Sequence, residues 1–464
     1  MHMRNANLVK NDRGQTIIIF ALIMPVLILF TGLALDAGLL YVTKAKLSTA
    51  VDAACLTGMK NLSDNSPQAQ AKAAQLAAGL FNANFGANPP TPSVTFPIDA
   101  HGGQQVEVTA TAYVNTFFMD ILPQWARVPV SDTAVATRGK LVMSIVLDRS
   151  GSMCGGTEHC DNGVTGDNGG AALKSAVPLF IANFDNSATG DELAMGSFSS
   201  NATVDYAINY NFKTPITTAV NALSFTGGTF GTGAGTAPIQ SNTMGAPLSL
   251  AQVQNGSVPV LPGQNIVKVI VYFTDGLMNT VQDSIYCKGK GGTGSTLINY
   301  GGHDSGSQVD FFDPTSATTD WGHYTSGTGF PYTSGGAICT DINGNIVTKF
   351  PSQSQGTQVT FSQSAVTADA KYRAIQTAIA LRTESPVPTF IFTIGLGTGV
   401  TTTTQAFLAQ LANDPNYPAT YIKGQPAGLF FYIPSCTGSA LTACKSQLNT
   451  AFQTIAAKVL LRLT

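Results

Sequence analysis

Asp148, Ser150 and Ser152 alternate in DRSGSM, directly after the apolar run LVMSIVL that begins at Leu141. A buried strand ending at Asp148 and turning into a Gly-rich loop delivers one carboxylate and two hydroxyls to one small surface. Hard divalent cations take oxygen ligands, so this is a cradle for such an ion. The competing reading is a plain polar turn, because an aspartate-serine pattern arises readily in Ser-rich loops.

The pattern resembles the metal-ion-dependent adhesion site (MIDAS) of von Willebrand factor A (vWA) domains. That resemblance implies a threonine and a second aspartate from two later loops. Thr229 stands in SFTGGTFGTG, and Asp275 ends a second apolar run, VKVIVYFTDG. The implied metal ligands are therefore Asp148, Ser150, Ser152, Thr229 and Asp275, holding Mg2+ or Mn2+. Hydroxyls supply neutral oxygens and the two carboxylates supply charge, in part through bound water. Two carboxylates leave the ion electrophilic. An open coordination position then accepts a carboxylate from a protein partner, which is how the resembling domains bind.

The elements that must position these residues alternate in type. Strand-like runs recur as ELAMGSF from Glu192, VKVIVYF from Val267, TFIFTIGLG from Thr389 and GLFFYI. Helical patterns lie between or after them, in GAALKSAVPLFIANF, ADAKYRAIQTAIALRTE and the closing CKSQLNTAFQTIAAKVLLRL. Such alternation predicts an α/β fold with a doubly wound, Rossmann-like parallel sheet over 139–464, with ligands at the carboxyl ends of the strands. Residues 277–356 show no sustained period and form an insertion after the Asp275 loop. It either shapes the binding face or is a surface loop rich in Gly, Ser and Thr.

At the other end, residues 16–35 are twenty consecutive uncharged and mostly apolar positions. At about 1.5 Å per residue they cross a hydrocarbon core of about 30 Å. A transmembrane helix is expected rather than a cleaved signal peptide, because no A-x-A-like site follows. Arg4, Lys10 and Arg13 precede the span, against Lys44 and Lys46 after it, which predicts a cytoplasmic N-terminus. Leu40, Leu47 and Ala54 then continue an apolar stripe at seven-residue spacing. From residue 61 to 138 a helix, QAQAKAAQLAAGLFNANFG, precedes β-forming runs around GG at 102–103, which predicts a small α+β membrane-proximal module.

The stretch from Arg13 to Gly58 resembles the N-terminal region of TadE/TadG-like proteins of the Flp, or tight-adherence, pilus machinery. Arg13, Gly14, Phe20, Ala21, Pro25, Asp36, Tyr41, Leu47, Asp52, Ala53 and Ala54 carry the resemblance. With a C-terminal vWA domain the chain looks like a TadG-type pilus assembly protein. Pilin-like relatives carry a glutamate five positions after the processing glycine. Ile19 occupies that position here, so an uncleaved anchor is expected.

Composition agrees with export. Only 11% of the 464 residues are charged, the net charge is -2, and no basic stripe points to nucleic acid. Six of the seven cysteines form near pairs, Cys154 with Cys160, Cys287 with Cys339 and Cys436 with Cys444, leaving Cys55 over. Outside the cytoplasm they form disulfides; the alternative is buried free thiols. KGGTGST from Lys290 lacks the lysine of a phosphate-binding loop, and GHDSG at 302–306 lacks the central serine of a nucleophile elbow. Glu158, His159, Cys160 and Asp161 are too close together for a zinc spacing. The expected function is thus a non-enzymatic, single-pass protein of the bacterial inner membrane. Its bulk lies in the periplasm or at the cell surface, and it serves pilus assembly or adhesion through pilus subunits or other partners. Two rivals are a surface adhesin or envelope sensor unrelated to pili, and a metal-dependent hydrolase.

Overall fold

The computed structural model describes residues 15–62, 66–98, 103–154, 168–187, 190–199, 202–225, 247–261, 264–278, 280–283, 286–288, 296–300, 309–312, 320–325, 329–332, 338–340, 343, 345, 347, 349–437 and 440–463. They form two compact units that divide at Thr137 and Arg138.

In the first unit, α1 (Gln15–Asn61) is one continuous helix of 47 residues with Pro25 inside it. Its first part exposes apolar side chains all round from Ile17 to Leu35, save Thr31 and Gly32. Its last part buries Leu47, Ala50, Val51, Ala54 and Cys55, at the three- and four-residue spacing of a one-sided helix. Helix α2 (Pro67–Phe85) begins with Pro67 at its first turn, capped by Ser66, whose hydroxyl accepts from the Ala69 N–H at 3.3 Å. Ala69, Ala73, Ala77 and Phe81, four apart, form its buried stripe. Gly86, at φ 91°, ends it.

An antiparallel sheet follows, β1 (Ser93–Thr95), β2 (Gln105–Asn115) and β3 (Arg127–Thr137), in that spatial order. Val106, Val108, Ala110 and Ala112 alternate inward along β2 and close one core with both helices. The expected α+β arrangement is present, and its core also takes in Leu47, Ala50, Val51, Ala54 and Cys55 of α1.

In the second unit, β4 (Lys140–Asp148), α3 (Gly169–Ile181), β5 (Glu192–Phe198), β6 (Ala202–Asn209), α4 (Lys213–Ala222), α5 (Pro247–Gly256) and β7 (Ile266–Thr274) come first. After the insertion come α6 (Gln363–Arg382), β17 (Thr389–Leu396), α7 (Thr402–Ala412), β18 (Phe430–Ile433) and α8 (Leu441–Leu463). The sheet order is β18-β17-β7-β4-β5-β6, parallel except for the antiparallel edge strand β6. One apolar cluster joins α3, α4 and α8 to one face, and another joins α5, α6 and α7 to the opposite face. The sheet is therefore doubly wound, as expected. Strands β4 and β7 are buried on both faces, which is why they read as unbroken apolar runs rather than alternating ones.

A buried ion pair fixes the entry to this unit. Both Arg138 guanidinium NH2 groups donate to Asp191, at 2.9 and 2.6 Å, and the Leu141 and Asp185 amides donate to the same carboxylate at 3.1 and 2.8 Å. At the far end a disulfide joins Cys436 to Cys444, with Cα atoms 5.1 Å apart, across the link from β18 to α8.

The insertion is more ordered than its sequence predicts. Strands β8 (Thr280–Asp283), β9 (Tyr286–Lys288), β10 (Thr296–Tyr300), β11 (Val309–Phe312), β12 (Asp320–Thr325), β13 (Gly329–Tyr332) and β14 (Ile338–Thr340) lie within it. Five of them form an antiparallel sheet in the order β13-β12-β11-β10-β8. Short strands separated by Gly/Ser/Thr runs carry too few positions each to display a period. The β9–β14 register places Cys287 opposite Cys339. A hairpin, β15 (Lys349–Ser352) and β16 (Thr357–Thr360), returns the chain to α6. Asp369 of α6 holds that hairpin by accepting from the Ser354 amide at 2.8 Å and the Ser352 hydroxyl at 3.1 Å, and pairs with Arg373 at 2.7 Å.

Candidate metal centre

The parallel register pairs Leu147 with Phe273, so Asp148 and Thr274 occupy the next rung at the carboxyl ends of β4 and β7. The Thr274 hydroxyl donates to Asp148 Oδ2 at 2.7 Å. The Ser150 amide donates to Oδ1 at 2.8 Å, in a turn that brings the Ser150 and Ser152 hydroxyls within 3.0 Å of each other. The Asp275 amide also supports the Asp148 carboxylate. Asp148, Ser150 and Ser152 thus share one turn at the end of β4, and Asp275 follows the adjacent strand β7 with its backbone amide at Asp148. Thr229 lies outside the described residues.

Packing is close at this edge. A Cβ at Gly399, in the loop after β17, would stand 2.7 Å from the Asp275 carbonyl oxygen, so the third loop closes on the second. Tyr272 is buried beneath and stacks on Phe198 with centroids 5.2 Å apart. Burial, then the charges of Asp148 and Asp275, push its phenol well above its ordinary pKa.

Asp148 and Ser150 are buried, whereas Ser152 is exposed and Asp275 half-buried. Burial raises the Asp148 carboxyl above its ordinary value, against the opposing hydrogen bonds of Ser150, Thr274 and Asp275. The donating groups, hydroxyls and backbone amides, are neutral. A buried carboxylate held by neutral donors beside two more hydroxyls is the donor set a small, hard cation fits. Among the described residues no three His, Cys, Asp or Glu side chains are grouped to share an ion, so any ion here depends on hydroxyl ligands.

Thr274 is the residue that sequence reasoning missed. Its signal was its place immediately before Asp275, but only the β4–β7 register sets its hydroxyl against Asp148. The 158–161 cluster and both glycine-rich decoys fall mainly outside the described residues. Cys154 is disulfide-bonded, with its expected partner Cys160 also outside them. Cys55 is free, as the odd cysteine was expected to be, and it is buried.

Residues 14–75 match the Tad family, described as "Putative Flp pilus-assembly TadE/G-like". The N-terminal segment is TadE/G-like. The match covers most of α1 and the start of α2 and leaves the second unit outside it. That unit has a vWA-like α/β fold by its sheet order, its single antiparallel edge strand and its aspartate-ended first strand. No curated protein sequence matches the chain.

Among solved structures, the chain is similar to the PilB minor pilin from Streptococcus sanguinis, at 13% identity and TM-score 0.38, covering 81% of this chain and 79% of that one. It is also similar to the vWF domain of the type V pili tip protein Mfa5 from Porphyromonas gingivalis, at 14% identity and TM-score 0.38, covering 71% and 98%. A third is the conserved hypothetical protein BatB from Bacteroides thetaiotaomicron, at 11% identity and TM-score 0.29, covering 68% and 100%. Likeness at this level carries no functional conclusion.

Proposed function

We propose that this chain is a single-pass, membrane-anchored, non-enzymatic protein of a Flp pilus apparatus, active in assembly or adhesion. The observation that carries this reading is the TadE/G-like match over residues 14–75, which coincides with a helix long and apolar enough to span a membrane. In this reading the N-terminus is cytoplasmic and the vWA-like unit lies in the periplasm or at the cell surface. The unit engages a partner through one Mg2+ or Mn2+ ion. Asp148, Ser150, Ser152, Asp275 and Thr229 are its proposed ligands, in part through water. When bound, the ion supplies an electrophilic position for a partner's Asp or Glu. Asp148 gives charge, the hydroxyls give neutral oxygens, and Thr274 aims the carboxylate. A non-enzymatic role is favoured because, among the described residues, the contacts that hold Asp148 include no histidine or glutamate to act as a general base.

The test is a deletion strain complemented with wild type, Asp148→Ala or Ser150→Ala, at matched protein level in the membrane. Pili are counted and adherence measured. Loss of both in the deletion strain with poor rescue by the two variants is expected. Normal piliation and adherence in the deletion strain would overturn the pilus reading. Full rescue by both variants would overturn the metal-bridging mechanism alone.

A further inference from the structure

The tip of the β2–β3 hairpin, residues 116–126, lies beside the membrane-spanning part of α1. The Asp36 carboxylate accepts from three consecutive backbone amides of this tip, Phe117 at 2.9 Å, Phe118 at 2.9 Å and Met119 at 2.8 Å. One turn earlier, Gly32 leaves room for the Phe118 ring, which a Cβ there would overlap. On either side of Gly32, Leu29 and Leu33 of the helix line an apolar groove of about 450 Å³ with Phe118, Ile121, Leu122 and Trp125 of the tip. Leu29 is seven residues before Asp36, or about 10 Å along the axis. The groove therefore lies alongside the last 10 Å of the apolar stretch, not beyond it.

We propose that this hairpin tip is a membrane foot, inserted into the interface of the leaflet from which α1 emerges. The inference rests on the reading of α1 as a membrane span. Its occupant is lipid, because the side chains are graded along the hairpin as a bilayer is graded from hydrocarbon to water. At the tip, Phe117, Ile121, Leu122 and Trp125 are 75%, 72%, 53% and 46% exposed. Next come Tyr113 and Arg127, the guanidinium 4.4 Å over the ring, a pair suited to the headgroup level. Farther along, Lys44 of α1 pairs with Asp132 of β3 at 2.8 Å, a partly exposed ion pair suited to the aqueous side. Asp120 and Gln124 are exposed in the tip itself, which limits the foot to the interface. Asp36 would be costly at this depth if unpaired, and the three amides satisfy it.

The chain has two tryptophans, Trp125 and Trp321, so Trp321→Phe isolates the reporter in the foot. The full-length variant is reconstituted in phosphatidylcholine nanodiscs whose acyl chains carry bromine at shallow or deep positions, and quenching is measured. Two controls, each in a Trp125→Phe/Trp321→Phe background, are Leu27→Trp within the span and Tyr210→Trp on the exposed surface of the second unit. We expect Trp125 to be quenched severalfold more by shallow than by deep bromines, and to resist aqueous acrylamide relative to the Tyr210→Trp control. If Leu27→Trp is quenched by bromolipid and Trp125 is not, the foot is overturned and the span stands. Shielding of Trp125 from acrylamide with indifference to bromine would mean that protein covers the patch, and would also overturn it. If neither reporter senses bromolipid, the span reading itself fails and the foot fails with it.

Discussion

At the scale of single residues, Asp148 and Thr274 set the properties of the candidate centre. Removing the Thr274 hydroxyl takes one donor from Asp148 Oδ2 without touching a proposed ligand. A hydrogen bond to a charged group is worth about 1.5–3 kcal/mol, so Thr274→Val is expected to weaken Mg2+ binding by about tenfold or more. Titration calorimetry on the full chain measures this, with near-unit stoichiometry expected for wild type and none for Asp148→Ala. Proton competition gives a second expectation. Burial raises the Asp148 carboxyl above the ordinary carboxylate value, so the ion-free protein holds its proton to higher pH than an exposed aspartate. Apparent Mg2+ affinity should therefore fall as pH drops through that raised value, and affinity constant down to about pH 4 would contradict it. Cys55 behaves differently. Its thiol donates to the Val106 carbonyl at 3.0 Å, and burial raises its pKa. It should resist alkylation at neutral pH until the protein is denatured, as mass spectrometry after iodoacetamide would record.

At the scale of elements, two buried carboxylates tie segments that are distant in sequence. Asp36 collects three amides of the hairpin tip. Asp36→Ala strands those donors, at about 1–3 kcal/mol for each one left unsatisfied. The expected result is faster hydrogen exchange at residues 117–119, with helix α2 unaffected. Asp191 performs the equivalent task at the start of β4. There Arg138 and two amides share one carboxylate. Breaking a buried pair by removing one partner costs about 3–5 kcal/mol. Asp191→Ala should lower the urea midpoint of the second unit markedly, and Asp132→Ala, which breaks a partly exposed pair with Lys44, should barely move that of the first.

At the scale of the whole molecule, the disulfides and the anchor bear on the same question of compartment. Cys436 and Cys444 close a short loop, and the chain-entropy relation gives it about 2–3 kcal/mol of stabilisation. Reduction should therefore lower the melting temperature of the second unit without unfolding it at room temperature. Cytoplasmic residence would leave such thiols reduced. Protease added to spheroplasts is expected to digest the globular part and spare a fragment containing residues 17–35. Protection of the globular part would reverse the proposed orientation.

Much of this architecture was legible in the residues alone, for physical reasons that differ between elements. The long apolar helix reads directly, because an uninterrupted apolar stretch of the length needed to cross a membrane stands out in the residues. Strands β4, β5, β7 and β17 read directly, because central parallel strands bury both faces. That Asp148, Ser150, Ser152 and Asp275 fall at neighbouring strand ends was legible because Asp148 ends such a strand and the others follow one. Edge strand β6 and helices α4, α5 and α7 were not foreseen, since short or mixed segments take their structure from what they pack against. The insertion's sheet was hidden in strands of three to six residues. Tertiary structure alone decided three further features. The β4–β7 register gives Thr274 its partner, the folding back of the hairpin along α1 gives Asp36 its three amides, and the Asp369 clamp returns the insertion to α6. In each, a polar group must find its partner across many residues of chain. Local propensity and periodicity carry no record of such pairings, because they arise only when separate elements pack.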